Sequence, residues 1–285
     1  MVYQLQQVSV RYQDHDVLQD IYCTIEAGKW ISVIGQTGAG KSTLVQVLKG
    51  LVDVRKGEYL FNNQTVAKDA KGQIQVRPEI GYVFQYPEHQ LFETTVAKEL
   101  AFAPKQQRWT ASEIKQRIED ILPQVGLSED ILELVPFQLS GGQKRRVALA
   151  SVLMMNPQVL IVDEPIAGLD PVGRTALLQY LHQWQQQENR TVILVSHHLD
   201  DVAQYSDEVL LLHQGRLIGQ YDPVTLFIEQ SHLLEQSGLV LPESIQLLKL
   251  IEQCSGQKIE IDSCREHDIL AKILPIWHRK EQTFG

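Results

Sequence analysis

Cysteine is scarce in this chain. Its three cysteines, Cys23, Cys254 and Cys264, are odd in number and far apart, and no Cys-x-x-Cys pair occurs. That argues against a disulfide framework or a cysteine-based metal knot and points to reduced thiols in the cytosol. Long hydrophobic runs are missing too. The longest apolar stretches, around Val159 and Thr191, are strand-length, well short of the roughly 18 residues of a membrane span. Met1-Val2-Tyr3-Gln4 has no basic stretch leading into an apolar one, so no secretory signal is expected. Positive charge is in deficit: 26 Lys and Arg face 35 Asp and Glu, a net charge of −9. Such a chain has no general pull toward nucleic acid, although a local basic patch stays open. There is no internal repeat and no low-complexity tract. Any membrane role must run through a partner.

What the chain does have is concentrated in residues 35–43, Gly-Gln-Thr-Gly-Ala-Gly-Lys-Ser-Thr. These match G-x-x-x-x-G-K-[ST], the loop that cradles nucleotide phosphates. Trp30-Ile31-Ser32-Val33-Ile34 before it reads as a buried strand, and Ser42 to Lys49 after it has helical spacing. Strand, glycine loop and helix follow in the required order. Gly35, Gly38 and Gly40 let the backbone of Gln36, Thr37 and Ala39 aim its N–H groups at one point. The helix N-terminus adds unpaired amides and a positive dipole end. Lys41 is then the charge for the β- and γ-phosphates, and Ser42, beside Thr43, the hydroxyl for Mg²⁺.

The 285 residues suffice for one large domain, or a domain with an appendage. The first stretch alternates through Val8, Val10, Tyr12, Val17, Leu18, Ile21 and Ile25 and reads as β-rich. Tyr59-Leu60-Phe61 runs into an Asn62-Asn63 turn, and Gly81 to Gln85 reads as another buried strand. From about Thr94 to Leu153 the pattern is helical. Val159–Val162 and Thr191–Val195 are near-continuous apolar strands of the kind found in a parallel sheet covered on both faces. Helical spacing covers Thr175–Gln187 and Leu199–Tyr205, and later Leu226–Gln236, Ser244–Gln253 and Asp268–Ile273. The expected fold is an α/β P-loop core with a β-rich N-terminal part, a helical insertion and a small helical C-terminal appendage.

Asp163-Glu164 closes the strand 159–162. A carboxylate there, beside a P-loop, is where Mg²⁺ needs a protein partner, which makes Asp163 the metal-side candidate, acting through a water. Neighbouring strand residues face opposite ways, so Glu164 suits a different task, deprotonating an attacking water. Leu139-Ser140-Gly141-Gly142-Gln143 opens a strong helix. Ser140 and Gln143 fit a capping box, while Gly141 and Gly142 bare amides for a second anion site. Two anion sites on one chain suggest a ligand shared between two chains.

In this order, P-loop, Leu139–Gln143, Asp163-Glu164 and Ser196-His197, the chain resembles an ATP-binding-cassette (ABC) ATPase over roughly residues 1–225, with a helical subdomain at about 86–155 and an extension over 226–285. The resemblance implies ATP and Mg²⁺ as cofactors. It implies that Tyr12 stacks on adenine and that Gln85 touches Mg²⁺ and the attacking water. It further implies that His197 contacts the γ-phosphate, that Gly168-Leu169-Asp170 couples two sites, and that Ser140, Gly141, Gly142 and Gln143 close over ATP held by another subunit. His198 is an equally available imidazole; only the motif position favours His197.

Phe84-Gln85-Tyr86-Pro87-Glu88-His89-Gln90-Leu91-Phe92-Glu93-Thr94-Thr95-Val96, with Ala101-Phe102-Ala103-Pro104, is similar to the ATPases of energy-coupling-factor (ECF) and cobalt transporters, most of all to the second of two paralogues. Gly238-Leu239 and Pro242 resemble that group's extension. The resemblance implies an importer of vitamins or metal ions. Its parts would be a second ATPase subunit, a paralogue rather than a copy, a transmembrane coupling subunit and a membrane-embedded substrate-binding subunit, with this chain on the cytoplasmic face of the cell membrane. Residues 86–96 read as an amphipathic surface helix. There Leu91, Phe92, Glu88 and Glu93 are expected to meet a helix of the coupling subunit. The alternatives are another ABC importer, a soluble ABC ATPase acting on nucleic acid or the ribosome, and a non-catalytic nucleotide-binding module. The long coiled-coil insertion or second cassette of the soluble types is not present, and intact Lys41, Asp163, Glu164 and His197 argue against the last.

Overall fold

A computed structural model describes residues 2–66, 79–164 and 170–284. In chain order the elements are β1 Val2–Tyr12, β2 His15–Glu26, β3 Trp30–Ile34, α1 Lys41–Lys49, β4 Lys56–Phe61, β5 Gln64–Thr65, β6 Ile80–Val83, α2 Val96–Gln106, α3 Ala111–Gln124, α4 Gly141–Leu153, β7 Val159–Asp163, α5 Pro171–Gln187, β8 Thr191–Val195, α6 Leu199–Tyr205, β9 Glu208–His213, β10 Arg216–Tyr221, α7 Ser231–Gln236, α8 Glu243–Ser255 and α9 Glu266–Phe284. This is the expected α/β class. Two compact units form, one from Met1–Val47, Val52–Val66 and Val195–Gly285, the other from Leu48–Leu51 and Ala67–Leu194.

In the first unit β1 pairs antiparallel with β2 and with β4, and β4 turns into β5. The turn residues Asn62 and Asn63 hold φ of 54° and 59°, left-handed values that asparagine tolerates better than most side chains. All five residues of β3 are buried. It runs parallel to β9, and β9 folds back antiparallel on β10. No strand was read in 206–221 from the sequence, so this hairpin is a finding of the structure. Its turn, Gln214-Gly215, has φ of 47° and 77°.

The C-terminal helices join the same core. Leu226, Phe227, Leu234, Ile245, Leu248, Ile251, Ile269 and Ile273 pack with Ile34 of β3, Leu199 and Val202 of α6, and Val209 and Leu211 of β9. Their helical spacing therefore has a tertiary cause: each of α7, α8 and α9 turns one apolar stripe inward.

In the second unit β6 lies parallel to β7, with Ile80 opposite Val159 and Val83 opposite Val162. The helices begin at built caps. Thr95 caps α2, Thr110 and Glu113 form a capping box on α3, and Ser140 and Gln143 form one on α4. The surface helix expected over 86–96 does not form. Pro87–Gln90 makes one 3-10 turn. Beyond it, the buried Glu99 carboxylate accepts the N–H groups of Phe92 and Glu93 at 2.9 and 2.8 Å. Those amides are thereby taken from any helix ladder, and Thr95 starts α2 afresh.

Phe227 has no exposed surface, so Phe227→Ala should cost about 3–5 kcal/mol by lost transfer energy and cavity formation. The check is a drop in thermal midpoint relative to wild type, read together with circular dichroism to confirm that the helical content survives.

Candidate functional site

β3 delivers the chain into a loop that only glycine fits at two points. A Cβ on Gly35 would lie 2.3 Å from the Leu212 carbonyl oxygen, and one on Gly40 would lie 2.7 Å from Leu18 Cδ2. The loop is tied down further. Ala39 N–H donates to the Gln36 carbonyl at 3.0 Å, and Gly215 N–H donates to the Ala39 carbonyl at 3.1 Å. The β9–β10 hairpin thus braces the loop. Lys41 is 5% exposed. Its Nζ donates to the carbonyls of Gly35 and Gln36 at 2.8 and 3.0 Å, so the ammonium rests on the loop's own backbone. Ser42 is exposed on the first turn of α1, as are Gln36, Thr37 and Gly38 before it, while Ala39 and Thr43 are buried.

His197 belongs to the same unit. Ser196 N–H donates to the Val33 carbonyl at 3.3 Å, which sets the His197 segment beside the strand that feeds the loop. Both His197 and His198 are exposed, and His198 is the N-cap residue of α6. Tyr12, 43% exposed, ends β1 opposite His15.

The second unit brings Gln85 and Glu164 together: Gln85 Nε2 donates to Glu164 Oε2 at 2.8 Å. Asp163, the last residue of β7, is buried and accepts from the Tyr82 hydroxyl at 3.1 Å. Tyr82 was read from the sequence only as part of an apolar strand. Nothing in its sequence neighbourhood beyond that strand points to Asp163, which is 81 residues away. Glu164 has φ of 50°, a left-handed conformation that costs a non-glycine residue energy and recurs at functional sites. Asp170 caps α5, its Oδ1 accepting from Gly173 N–H at 2.7 Å. Gly168 and Leu169 lie outside the described residues.

At the head of α4, Ser140 Oγ accepts from Gln143 N–H at 3.3 Å, and Gln143 Oε1 accepts from Ser140 N–H at 3.0 Å. A Cβ on Gly141 or Gly142 would meet nothing within 4 Å. Packing among the described residues therefore does not require glycine there.

Two expectations about the segment after Gln85 need correction. The Glu88 carboxylate does not await a partner's arginine. Arg145 of α4 binds it bidentately at 3.1 and 3.2 Å, with side chains only 15% and 17% exposed for Arg145 and Glu88. Leu91 is buried rather than presented as an anchor. Phe92 is 60% exposed and meets Phe102 edge-on, ring centroids 4.8 Å apart. With Leu51, Tyr82, Phe84 and Val152 these rings line an open cleft of about 520 Å³.

No group of three or more His, Cys, Asp or Glu among the described residues could hold a metal by itself. The Ser42 hydroxyl, the Gln85 amide oxygen and the Asp163 carboxylate are hard oxygen donors that suit Mg²⁺, an ion that keeps waters and substrate phosphates in its shell.

The ABC transporter family model matches residues 18–167. The chain is 38% identical over 288 residues to the energy-coupling factor transporter ATP-binding protein EcfA2 of Staphylococcus epidermidis, covering 99% of this chain and 100% of that one. It is 40% identical over 258 residues to EcfA2 of Bacillus subtilis, covering 90% and 93%. Among solved structures it is similar to cbiO1 of Clostridium perfringens, described as part of the ABC transporter complex cbiONQ. The TM-score is 0.73 at 33% identity, over 87% of this chain and 98% of that one. It is also similar to the dimeric, post-hydrolysis ATP-binding cassette MJ0796 bound to ADP and Pi, with TM-score 0.69 at 25% identity over 78% and 99%.

The Glu88–Arg145 pair has a pH signature. Burial alone would raise the Glu88 carboxyl, but the hydrogen bonds and charge of Arg145 hold it below its ordinary 4.5. The pair's contribution is complete above that ordinary value and is lost as pH falls through the lowered one. Arg145→Met should cost about 1–3 kcal/mol at neutral pH, and the gap to wild type should shrink once acid protonates Glu88. Urea midpoints of both proteins across that range provide the measurement; a gap independent of pH would exclude the ion pair as its source.

Proposed function

The chain belongs to the ABC transporter family, and we propose that it is the ATP-hydrolysing subunit that energises an ECF-type importer by closing as a dimer with a second ATPase subunit. The observation that carries this reading is the loop 35–43, with its glycine-only approaches and with Lys41 resting on the carbonyls of Gly35 and Gln36. That arrangement has one evident use. Amides and a buried cation converge where phosphates are held at a helix N-terminus.

In this reading the loop's backbone amides, apart from that of Ala39, which stays on the Gln36 carbonyl, bind the phosphates, and Lys41 moves from its carbonyls onto the β- and γ-oxygens. Mg²⁺ arriving with the nucleotide would be held by Ser42, Gln85 and, through water, Asp163, and it supplies charge neutralisation on the phosphates. Glu164 takes the proton of the attacking water, and Gln85, already bonded to that carboxylate, orients the water. Tyr82 holds Asp163 in place from behind. His197 donates to the γ-phosphate, and Tyr12 stacks on adenine. Ser140, Gly141, Gly142 and Gln143 close over the nucleotide of the other subunit, and Asp170 couples the two sites. The open space around Gly141 and Gly142 supports that last assignment, because it leaves room for an anion arriving from outside the chain.

The second subunit is a paralogue in this reading, and a transmembrane coupling subunit docks on the aromatic cleft of Phe84, Phe92 and Phe102 at the cytoplasmic face of the membrane. Two features support the cleft: its exposed rings need an apolar cover, and it begins one residue before Gln85, so a shift at the nucleotide is felt at the dock. A membrane-embedded subunit binds the cargo, a vitamin or metal ion.

Glu164→Gln keeps the shape of the side chain but removes the proton acceptor. ATP hydrolysis should fall about a hundredfold to ten-thousandfold, while ATP binding persists and an ATP-loaded dimer accumulates on size exclusion. Wild-type turnover in this variant would remove Glu164 from the role of base.

Gly141→Asp should leave ATP affinity of the single chain within about twofold of wild type and yet suppress hydrolysis by the dimer, since a carboxylate repels the incoming γ-phosphate. If the isolated chain instead loses ATP, residues 140–143 act on the chain's own nucleotide and the shared-site reading fails.

A further inference from the structure

The P-loop is also anchored from the C-terminal side of the chain. Gln36 sits at its second position, and its side-chain Nε2 donates to the Gly238 carbonyl at 3.2 Å. Gly238 ends α7 in a left-handed cap: φ is 65°, its N–H donates to the Glu235 carbonyl at 2.9 Å, and Leu239 N–H donates to the Leu234 carbonyl at 2.8 Å. That cap is fixed, because Leu234 and Ser237 are buried and Leu239 packs on the core that also contains Ile34, the residue before Gly35. A Cβ on Gly238 would lie 1.9 Å from Gln36 Nε2 and would push that side chain off the carbonyl. The backbone of Gln36 is in turn part of the loop's machinery, since its carbonyl accepts both the Lys41 ammonium and the Ala39 amide, at 3.0 Å each.

We propose that Gln36 is a positioning residue through which the C-terminal extension holds the P-loop in its nucleotide-receptive shape, by way of the Gly238 carbonyl. The extension is then a working part of the nucleotide site. This rests on reading residues 35–43 as the phosphate site. Fixing the Gln36 side chain fixes the carbonyl on which Lys41 waits, so that ATP meets a loop already ordered and the cost of ordering it is not charged to binding. When the anchor is removed, affinity should fall by about what one neutral hydrogen bond supplies, threefold to tenfold.

The structure provides its own control. Gly256 caps α8 with φ of 69°, as left-handed as Gly238, but a Cβ there would meet nothing within 4 Å. Gly256→Ala thus carries the backbone strain of Gly238→Ala without the collision. The experiment is isothermal titration of the full chain with ATPγS and Mg²⁺, beside thermal melts without nucleotide, for wild type, Gln36→Ala, Gly238→Ala, the double variant and Gly256→Ala. Expected are a three- to tenfold higher Kd for each of Gln36→Ala and Gly238→Ala, and a double variant no weaker than the singles, because both remove one contact. Gly256→Ala should melt lower, like Gly238→Ala, yet bind at the wild-type Kd. Equal Kd values for Gly238→Ala and Gly256→Ala, tighter binding by Gln36→Ala, or a double variant whose loss is the product of the singles would each overturn the proposal. Failure of the wild type itself to bind would overturn the phosphate-site assignment instead.

Discussion

The closeness of β9 and β2 to the P-loop is the constraint on which the nucleotide site depends. The Leu212 carbonyl stands where a Cβ of Gly35 would be, and Leu18 stands where a Cβ of Gly40 would be. These approaches force the loop to curl tightly enough for its carbonyls to reach Lys41. They are in turn set by register: Ile34 pairs with Leu211, so the next residue of β9 falls on Gly35. A slip of one residue would turn the neighbouring side chains to the opposite face and break the fit. The register is held by the core of Val209 and Leu211 with α6 and the C-terminal helices. The shape of a nine-residue motif is therefore decided by packing contributed from the far end of the chain.

The two carboxylates at the end of β7 illustrate how adjacent residues acquire different work. Asp163 is still in the strand, buried, and hydrogen-bonded to Tyr82. A group so enclosed suits holding a water on a cation. Glu164 has left the strand through a left-handed turn, is half-buried, and meets Gln85. That partial access to water suits a base that must meet its substrate. Strand alternation alone predicts the two would diverge; the turn at Glu164 determines where the second one goes.

Features carried by neighbouring residues were legible in the sequence, and features carried by distant ones were not. β3, the P-loop, α1, the capping box at Ser140 and Gln143, and the buried strands β7 and β8 all announce themselves within a window of ten residues. The β9–β10 hairpin was missed because its turn is Gln214-Gly215, without the Asn-Gly or Asp-Gly pair that usually marks two left-handed residues. Glu88 was assigned to a partner because nothing local points to Arg145, which is 57 residues away. Phe92 and Glu93 looked helical because their amphipathic spacing was visible, while the capture of their amides by Glu99 was not. The helical spacing of α8 was visible, but spacing does not say which core a stripe enters.

The glycines divide into two groups with opposite physical reasons. Gly35 and Gly40 are glycine because the chain's own atoms press on them; Gly141 and Gly142 have empty space where a Cβ would go. In the first group a side chain is excluded by the fold. In the second it is excluded by nothing among the described residues. Two glycines in the first turn of α4, inside a complete capping box, leave the backbone there open to a closely approaching ligand. The chain's own phosphate loop already has its lysine and its helix N-terminus, so the space beside Gly141 and Gly142 is what the proposed shared site requires: room for an anion brought by a second subunit.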